Sequence, residues 1–172
     1  MLRLITIWLD ICLLRAGPQD LPVSRALLWL SLVAYTLVSF LLSLPGYSSA
    51  VALRIAGVDL ALLVTFVAAP LYLLDKAARI GQTLAALAGT GAVLGLFALP
   101  VVRILLNGQD AGEVPPFFAL AWLILFGWSL LVVAHVMRHA LSVAFVAGLG
   151  ISILYTLVAM QVIGTLFPVE AY

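Results

Sequence analysis

The chain has 172 residues, of which 66% are apolar and only 9% are charged, whereas soluble domains average roughly 45–50% and about 25%. No water-soluble fold of this size hides so much apolar surface, because a chain of about 150 residues leaves about 30% of its surface exposed. The composition therefore predicts an integral membrane protein. The formal net charge of +1 gives no basic surface for nucleic acid, and a single cysteine, Cys12, excludes an intramolecular disulfide and a cysteine-based metal site.

The first apolar stretch, Leu2 to Leu14, is too short to cross a hydrocarbon layer of roughly 30 Å, which needs about 20 residues. Three polar residues fall close together on its helical wheel: Arg3, Thr6 and Asp10. This pattern predicts an amphipathic helix over residues 1–16 that lies in the membrane interface. A secretory signal is the alternative, but Asp10 interrupts the apolar run and residues 15–20 make a poor cleavage site.

Five longer apolar stretches follow, and each is long enough to cross a membrane. They cover about residues 23–44, 48–74, 80–106, 117–137 and 140–167. Proline, glycine and charged residues separate them, including a polar loop over residues 107–113. The sequence therefore predicts an all-α, polytopic integral membrane helical bundle. It has five transmembrane helices plus the N-terminal interfacial helix, and residues 1–172 form one membrane domain.

Basic residues mark alternate ends of these spans. Arg3, Arg15 and Arg25 lie before or at the start of the first span, Lys76 and Arg79 follow the second, and Arg138 follows the fourth. The other connections and the C-terminal tail have no basic residue. By the positive-inside rule, this order predicts a cytoplasmic N-terminus and a C-terminus on the opposite side of the membrane. The short loops and the lack of a targeting peptide favour a bacterial cytoplasmic (inner) membrane, which makes the C-terminus periplasmic, and an organelle membrane is the alternative.

Two spans carry small residues at a spacing of four, which places them on one helix face. The third span has Gly81, Ala85 and Gly89 and a second pair, Gly91 and Gly95; the fifth has Ala140, Ala144, Gly148 and Ser152. Such rows let another helix approach closely, so they are predicted helix-packing residues. Pro70 and Pro100 lie inside spans and bend them, either to shape a cavity or as a plain packing bend.

Asp59 falls near the middle of the second span, where an ionisable side chain costs about 2.5–3.5 kcal/mol on insertion scales. Arg54 in the same span and Arg103 in the third lie in the same half of the membrane. We therefore predict an intramembrane polar site in which Asp59 contacts Arg103 or Arg54. It is either a proton- or ion-responsive site or a neutralised pair that fixes helix register.

His135 and His139 are spaced i, i+4, which allows two imidazoles to face one metal. No nearby Asp, Glu or Cys supplies a third ligand, so we predict no metal site and interfacial hydrogen bonding for both histidines. No other pattern indicates a cofactor or a catalytic residue, and we expect neither.

One local pattern is similar to a known family. An arginine-bearing loop leads into a small-residue span that ends in proline, Arg79–Ile80–Gly81–Gln82–Thr83 to Ala98–Leu99–Pro100, and a tryptophan-bearing span follows from Trp122 to Trp128. With five spans and a cytoplasmic N-terminus, this resembles the bacterial branch of the Yip family. The longer N-terminal region typical of the eukaryotic members is absent. The resemblance implies a role in membrane organisation or as a partner of other membrane proteins, and no catalytic residues.

These observations predict a non-enzymatic inner-membrane protein that acts as a scaffold, assembly partner or modulator of other membrane proteins. Its expected partners are the lipid bilayer and other membrane proteins or a second copy, with no nucleic acid. The alternative is a small transporter or channel subunit that uses Asp59 with Arg54 or Arg103. An intramembrane enzyme ranks last, because it needs paired acid and base or metal-binding groups facing one cavity, and the only clustered ionisable groups, His135 and His139, are predicted at the edge of the membrane.

Overall fold

The computed structural model describes the backbone of residues 2–110 and 115–168 and the side chains of residues 6–108 and 115–168. Six α-helices occur in these ranges: α1 Leu2–Cys12, α2 Arg25–Ser43, α3 Ser49–Leu73, α4 Ile80–Asp110, α5 Pro116–Leu141 and α6 Phe145–Leu166. Single 3₁₀ turns at Pro18–Asp20 and Ala77–Arg79 precede α2 and α4. The described ranges contain no strand.

Helices α2 to α6 are each long and apolar enough to cross a membrane, which confirms the five predicted spans. Three span boundaries differ from the prediction by four or five residues: the ends of α4 and α5, and the start of α6, which lies at Phe145 and not at residue 140. The helix α4 continues through Asp110, so the first part of the predicted polar loop is helical, and residues 111–114 lie outside the described ranges. The helix α5 continues to Leu141, where Ser142 takes a left-handed conformation with φ 57° and ends it.

Serine side chains begin two of the spanning helices. The Ser24 Oγ accepts a hydrogen bond from the Leu27 amide at 3.4 Å at the start of α2, and the Ser48 Oγ does the same for Val51 at 3.4 Å in α3. Each serine satisfies an amide that the first turn leaves unpaired. Proline at the first position of α5, Pro116, avoids the problem because it has no amide hydrogen.

The helix α4 lies at the centre of the bundle, with every residue from Thr83 to Thr90 buried. Two of its glycines face α2. A β-carbon at Gly91 would lie 2.9 Å from the Tyr35 ring, and one at Gly95 would overlap Val38. Glycine is therefore what permits α2 to pack closely along α4.

The helix α1 packs inside the bundle on one side. Trp8, Ile11 and Cys12 are buried, and the Trp128 Nε1 of α5 donates a hydrogen bond of 2.8 Å to the Cys12 carbonyl oxygen. The Cys12 Sγ lies 3.9 Å from the carbonyl oxygen of Thr90, which is about 15 Å along α4 from its first residue. A helix is thus present at Leu2–Cys12, within the predicted range of residues 1–16, while its amphipathic character and its placement in the membrane interface stay predictions.

Two basic residues just before α4, Lys76 and Arg79, form hydrogen bonds with the end of α5. The Lys76 Nζ donates a hydrogen bond to the Leu141 carbonyl oxygen. The Arg79 Nη1 donates to the Ala140 carbonyl oxygen at 3.0 Å and to the Ser142 Oγ at 2.9 Å. Cations suit this position because the last carbonyl groups of a helix lack intrahelical donors and carry partial negative charge.

Candidate functional site

Asp59 lies in α3, ten residues after its start at Ser49, which is about 15 Å along the helix. Its carboxyl group is only partly buried. The Ser39 Oγ of the neighbouring helix α2 donates a hydrogen bond of 2.8 Å to the Asp59 Oδ2. A short connection after α2 makes the two helices antiparallel neighbours, and this brings the hydroxyl and carboxyl groups together.

Two tyrosines complete the polar surroundings of Asp59. The hydroxyl groups of Tyr35 in α2 and Tyr155 in α6 lie within interaction range of its carboxyl group. Tyr155 also packs its ring against Phe66, with 4.3 Å between the ring centroids. Asp59 therefore sits among three hydroxyl groups contributed by two other helices.

Neither predicted arginine contacts Asp59. Arg54 and Arg103 have exposed side chains, and no ion pair forms within the described residues. Arg54 lies five residues before Asp59, which puts it on a different side of α3, and Arg103 lies on the exposed side of α4. The structure thus replaces the predicted arginine partner with hydroxyl groups.

A groove of about 410 Å³ opens beside Asp59. Asp59, Tyr35 and Tyr155 line it together with residues of α6: Thr156, Ala159, Met160, Ile163 and Gly164. The carboxyl group is consequently accessible from the outside of the bundle along α6.

A second cavity, of about 220 Å³, lies deeper among α2 to α6. Aromatic and aliphatic side chains dominate its lining, with Phe66, Trp122 and Phe126 as the large rings and Thr90 and Ser129 as hydroxyl groups. Tyr35 and Tyr155 line this cavity as well as the groove. The two tyrosines therefore stand between the apolar interior and the carboxyl group of Asp59.

The predicted packing residues occupy several different environments. Ala85, Gly89, Gly95, Gly148 and Ser152 are buried and Gly91 is partly buried, whereas Ala144 is exposed and Gly81 meets no neighbour where a β-carbon would stand. Gly89 faces the Trp8 ring of α1. Ser152 donates a hydrogen bond of 2.9 Å from its Oγ to the Leu130 carbonyl oxygen of α5. Most of these small residues thus serve contacts within one chain.

Ala144 lies outside the last span, although the sequence pattern places it there. It precedes α6 as its N-cap, because α5 ends later than predicted.

The two histidines belong to the contact between α5 and the N-terminal segment. The His135 Nε2 lies 3.0 Å from the Ala16 carbonyl oxygen, and the His135 and His139 rings meet edge to face at 4.6 Å between centroids. Arg138 donates to the His139 Nε2 at 3.3 Å. The described residues contain no group of three or more His, Cys, Asp or Glu side chains that could hold a metal ion.

The sequence did not indicate Tyr35, Ser39 or Tyr155 as partners of Asp59. One signal was present, because Tyr35 and Ser39 are spaced i, i+4 and therefore share a face of α2. Which face turns toward α3 depends on packing against α4, and no single helix reveals that.

The fold and its composition define an all-α protein with five helices apolar enough to span a membrane. In this multi-pass membrane protein the buried core surrounds α4. Asp59 is the acidic residue that lines the open groove between α2, α3 and α6. Comparison with protein-family models, curated proteins and solved structures finds no match to the chain. The resemblance to the bacterial branch of the Yip family therefore stays a prediction.

Proposed function

We propose that the protein is a small, non-enzymatic membrane transporter or channel subunit in which Asp59 is the intramembrane binding group. One observation carries the proposal. Asp59 is reached from an open groove and has hydroxyl neighbours in place of a cation. Ionisable groups placed at membrane depth commonly mark the pathways of ions and protons.

The hydroxyl groups suit a carboxyl group that changes its proton or its counter-ion. Ser39 donates a hydrogen bond to the carboxyl group, Tyr35 lies within hydrogen-bonding reach of it, and Tyr155 interacts with the Tyr35 hydroxyl group. All three hydroxyl groups remain neutral when the carboxylate is protonated. An arginine at the same distance would hold the carboxylate ionised and paired. Hydroxyl partners therefore allow Asp59 to exchange its proton or its counter-ion.

A second proposal is a scaffold, assembly partner or modulator of other membrane proteins, as the Yip resemblance implies. The glycine rows that favoured it are largely used within the chain. Four other glycines within the spanning helices have open space where a β-carbon would stand: Gly57, Gly127, Gly150 and Gly164. They offer positions at which another membrane protein or a second copy could approach closely.

We place the protein in a bacterial inner membrane, with its N-terminus in the cytoplasm and its C-terminus in the periplasm. The distribution of basic residues supports this orientation, since Lys76 and Arg79 cluster with Arg138 at one end of the bundle. The helix α1 would then extend from the cytoplasmic interface into the bundle.

Flux through proteoliposomes tests the role of Asp59. The full chain is reconstituted with a pH-sensitive dye inside the vesicles, and a potassium diffusion potential drives protons across the membrane. We expect dye responses above those of protein-free vesicles for the original chain and a loss of that excess for Asp59→Asn. The variant keeps an oxygen acceptor for Ser39, so the helix contact survives.

Asp75→Asn is the matched control. Asp75 is exposed and lies just beyond α3 with φ 56°, a conformation that asparagine adopts readily. We expect it to conduct like the original chain. Equal flux for Asp59→Asn and the original chain, or no flux above protein-free vesicles, would contradict the transport proposal. A co-purifying membrane protein in the latter case would support the second proposal.

A further inference from the structure

We propose that the groove at Asp59 and the cavity behind it form a binding site for a lipophilic organic cation, a positively charged nitrogen bearing apolar substituents. The proposal rests on the proposed function, because it names the class of ligand for the same carboxyl group. The Asp59 carboxyl group takes the charge, and the aromatic cavity takes the apolar substituents.

Charge complementarity selects a cation. The titratable groups that face Asp59 are Tyr35 from α2 and Tyr155 from α6, and both are neutral at ordinary pH. Arg54 and Arg103 are exposed and do not reach it. A carboxylate within the bundle without a cation beside it is unfavourable. A positively charged ligand supplies the cation that no side chain in the described ranges provides.

The aromatic lining favours an organic cation. Tyr35, Tyr155, Phe66, Trp122 and Phe126 line the inner cavity, and the faces of aromatic rings attract cations within about 6 Å of the ring centre. Because Tyr35 and Tyr155 line both spaces, a ligand that contacts Asp59 also contacts rings that lead into the cavity.

The chemistry of the lining favours an organic cation over a bare metal ion. A calcium ion takes about six to eight oxygen ligands, mostly from carboxylate and carbonyl groups. In the part of the chain that the structure describes, Asp59 is the one carboxyl group that lines the groove, and the other polar side chains there are the hydroxyl groups of Tyr35, Tyr155 and Thr156. The described residues contain no cluster of three or more His, Cys, Asp or Glu side chains that could hold a metal ion.

The available space also suits an organic ligand. The cavity measures about 220 Å³ and the groove about 410 Å³, and small-molecule pockets typically measure roughly 300–1,000 Å³.

A pair of ligands with the same shape tests the proposal. Phenyltrimethylammonium carries a permanent positive charge, and tert-butylbenzene is its neutral counterpart with carbon in place of nitrogen. Binding of each to the full chain in a nonionic detergent is measured by equilibrium dialysis, with protein-free micelles as the blank. We expect saturable binding of the cation that is about 10- to 100-fold weaker in Asp59→Asn, because the substitution removes the attraction between the carboxylate and the ammonium charge.

Two variants isolate the charge from the fold. Asp59→Glu keeps the negative charge, and we expect it to retain binding of the cation within about threefold, a difference below one kcal/mol. Asp75→Asn removes an exposed acid and should bind like the original chain. We expect the retention of tert-butylbenzene to be the same in Asp59→Asn and in the original chain, because no charge contributes to it.

Several outcomes overturn the cation site. They are no saturable binding of phenyltrimethylammonium to the original chain, equal binding to Asp59→Asn, or loss of binding in Asp59→Glu when that variant elutes as a folded monodisperse protein. Proton flux that depends on Asp59 without cation binding refutes this site and leaves the proposed function standing. Cation binding that depends on Asp59, together with no proton flux above protein-free vesicles, supports the site and contradicts the proposed transport.

Discussion

At Gly148, α6 lies close to backbone atoms of α5. A β-carbon there would lie 2.5 Å from the Ala134 carbonyl oxygen and 3.2 Å from the Arg138 Cβ. A carbonyl oxygen cannot rotate away as a side chain does. Gly148→Ala therefore forces the two helices apart by about 0.9 Å if the oxygen is to reach the ordinary contact distance of 3.4 Å.

The same displacement affects the hydrogen bond one turn further along. The Ser152 Oγ donates to the Leu130 carbonyl oxygen at 2.9 Å, and an added 0.9 Å takes that pair to about 3.8 Å, beyond hydrogen-bonding range. Overpacking costs about 1–3 kcal/mol, and an interhelical hydrogen bond in a membrane protein contributes about 0.6 kcal/mol. We expect Gly148→Ala to lower the free energy of unfolding by about 2–3 kcal/mol.

Reversible unfolding in mixed micelles with increasing sodium dodecyl sulfate, followed by tryptophan fluorescence, measures this change. Gly150→Ala is the matched control, because it lies two residues away on α6 and its β-carbon meets nothing within 4 Å. Because alanine favours a helix over glycine, we expect it to leave the free energy of unfolding unchanged or to raise it by up to about 1 kcal/mol. Equal effects of the two substitutions would show that α6 does not contact α5 through this face.

Two predictions concern the attachment of α1. Trp128→Phe removes the hydrogen-bond donor to the Cys12 carbonyl oxygen and should lower the free energy of unfolding by about 1 kcal/mol. We also expect faster proteolysis of the segment before Pro18. An unchanged rate of proteolysis would argue against that contact. Burial raises the pKa of the Cys12 thiol to about 11, so roughly one thiol in a thousand is ionised at pH 8. Maleimide labelling should therefore be slow until the protein is unfolded, and rapid labelling of the folded chain would refute the buried position.

The five spanning helices could be predicted because hydropathy and helix breakers act locally. Ser24 and Ser48 cap the first turns of α2 and α3, and Pro116 occupies the first position of α5. Such residues are visible in the sequence. The end of α5 could not be placed, since Ser142 adopts a left-handed conformation that serine seldom takes. Because α5 ends four residues later than predicted, Ala140 belongs to α5 and Ala144 precedes α6. Neither residue therefore lies within the last span, to which the sequence pattern assigns both.

The candidate site could be predicted only in part. Asp59 stands out because an acid inside an apolar stretch is costly. Its partners could not be predicted, because scattered hydroxyl residues are common in spanning helices. The rotation of α2 that turns Ser39 toward Asp59 is set by glycine contacts with α4, Gly91 and Gly95. Three-dimensional packing, and not charge pairing, decided which groups meet.

The attachment of α1 has a consequence for biogenesis. Cys12 precedes Trp128 by 116 positions, and a ribosome working at about 5–20 residues per second needs roughly 6–23 s to make the intervening chain. During that interval Trp8 and Ile11 have no complete surface to pack against. The amino-terminal segment is thus a late-docking element, and its hydrophobic residues are open to an insertase or chaperone until the fourth spanning helix has been delivered to the membrane.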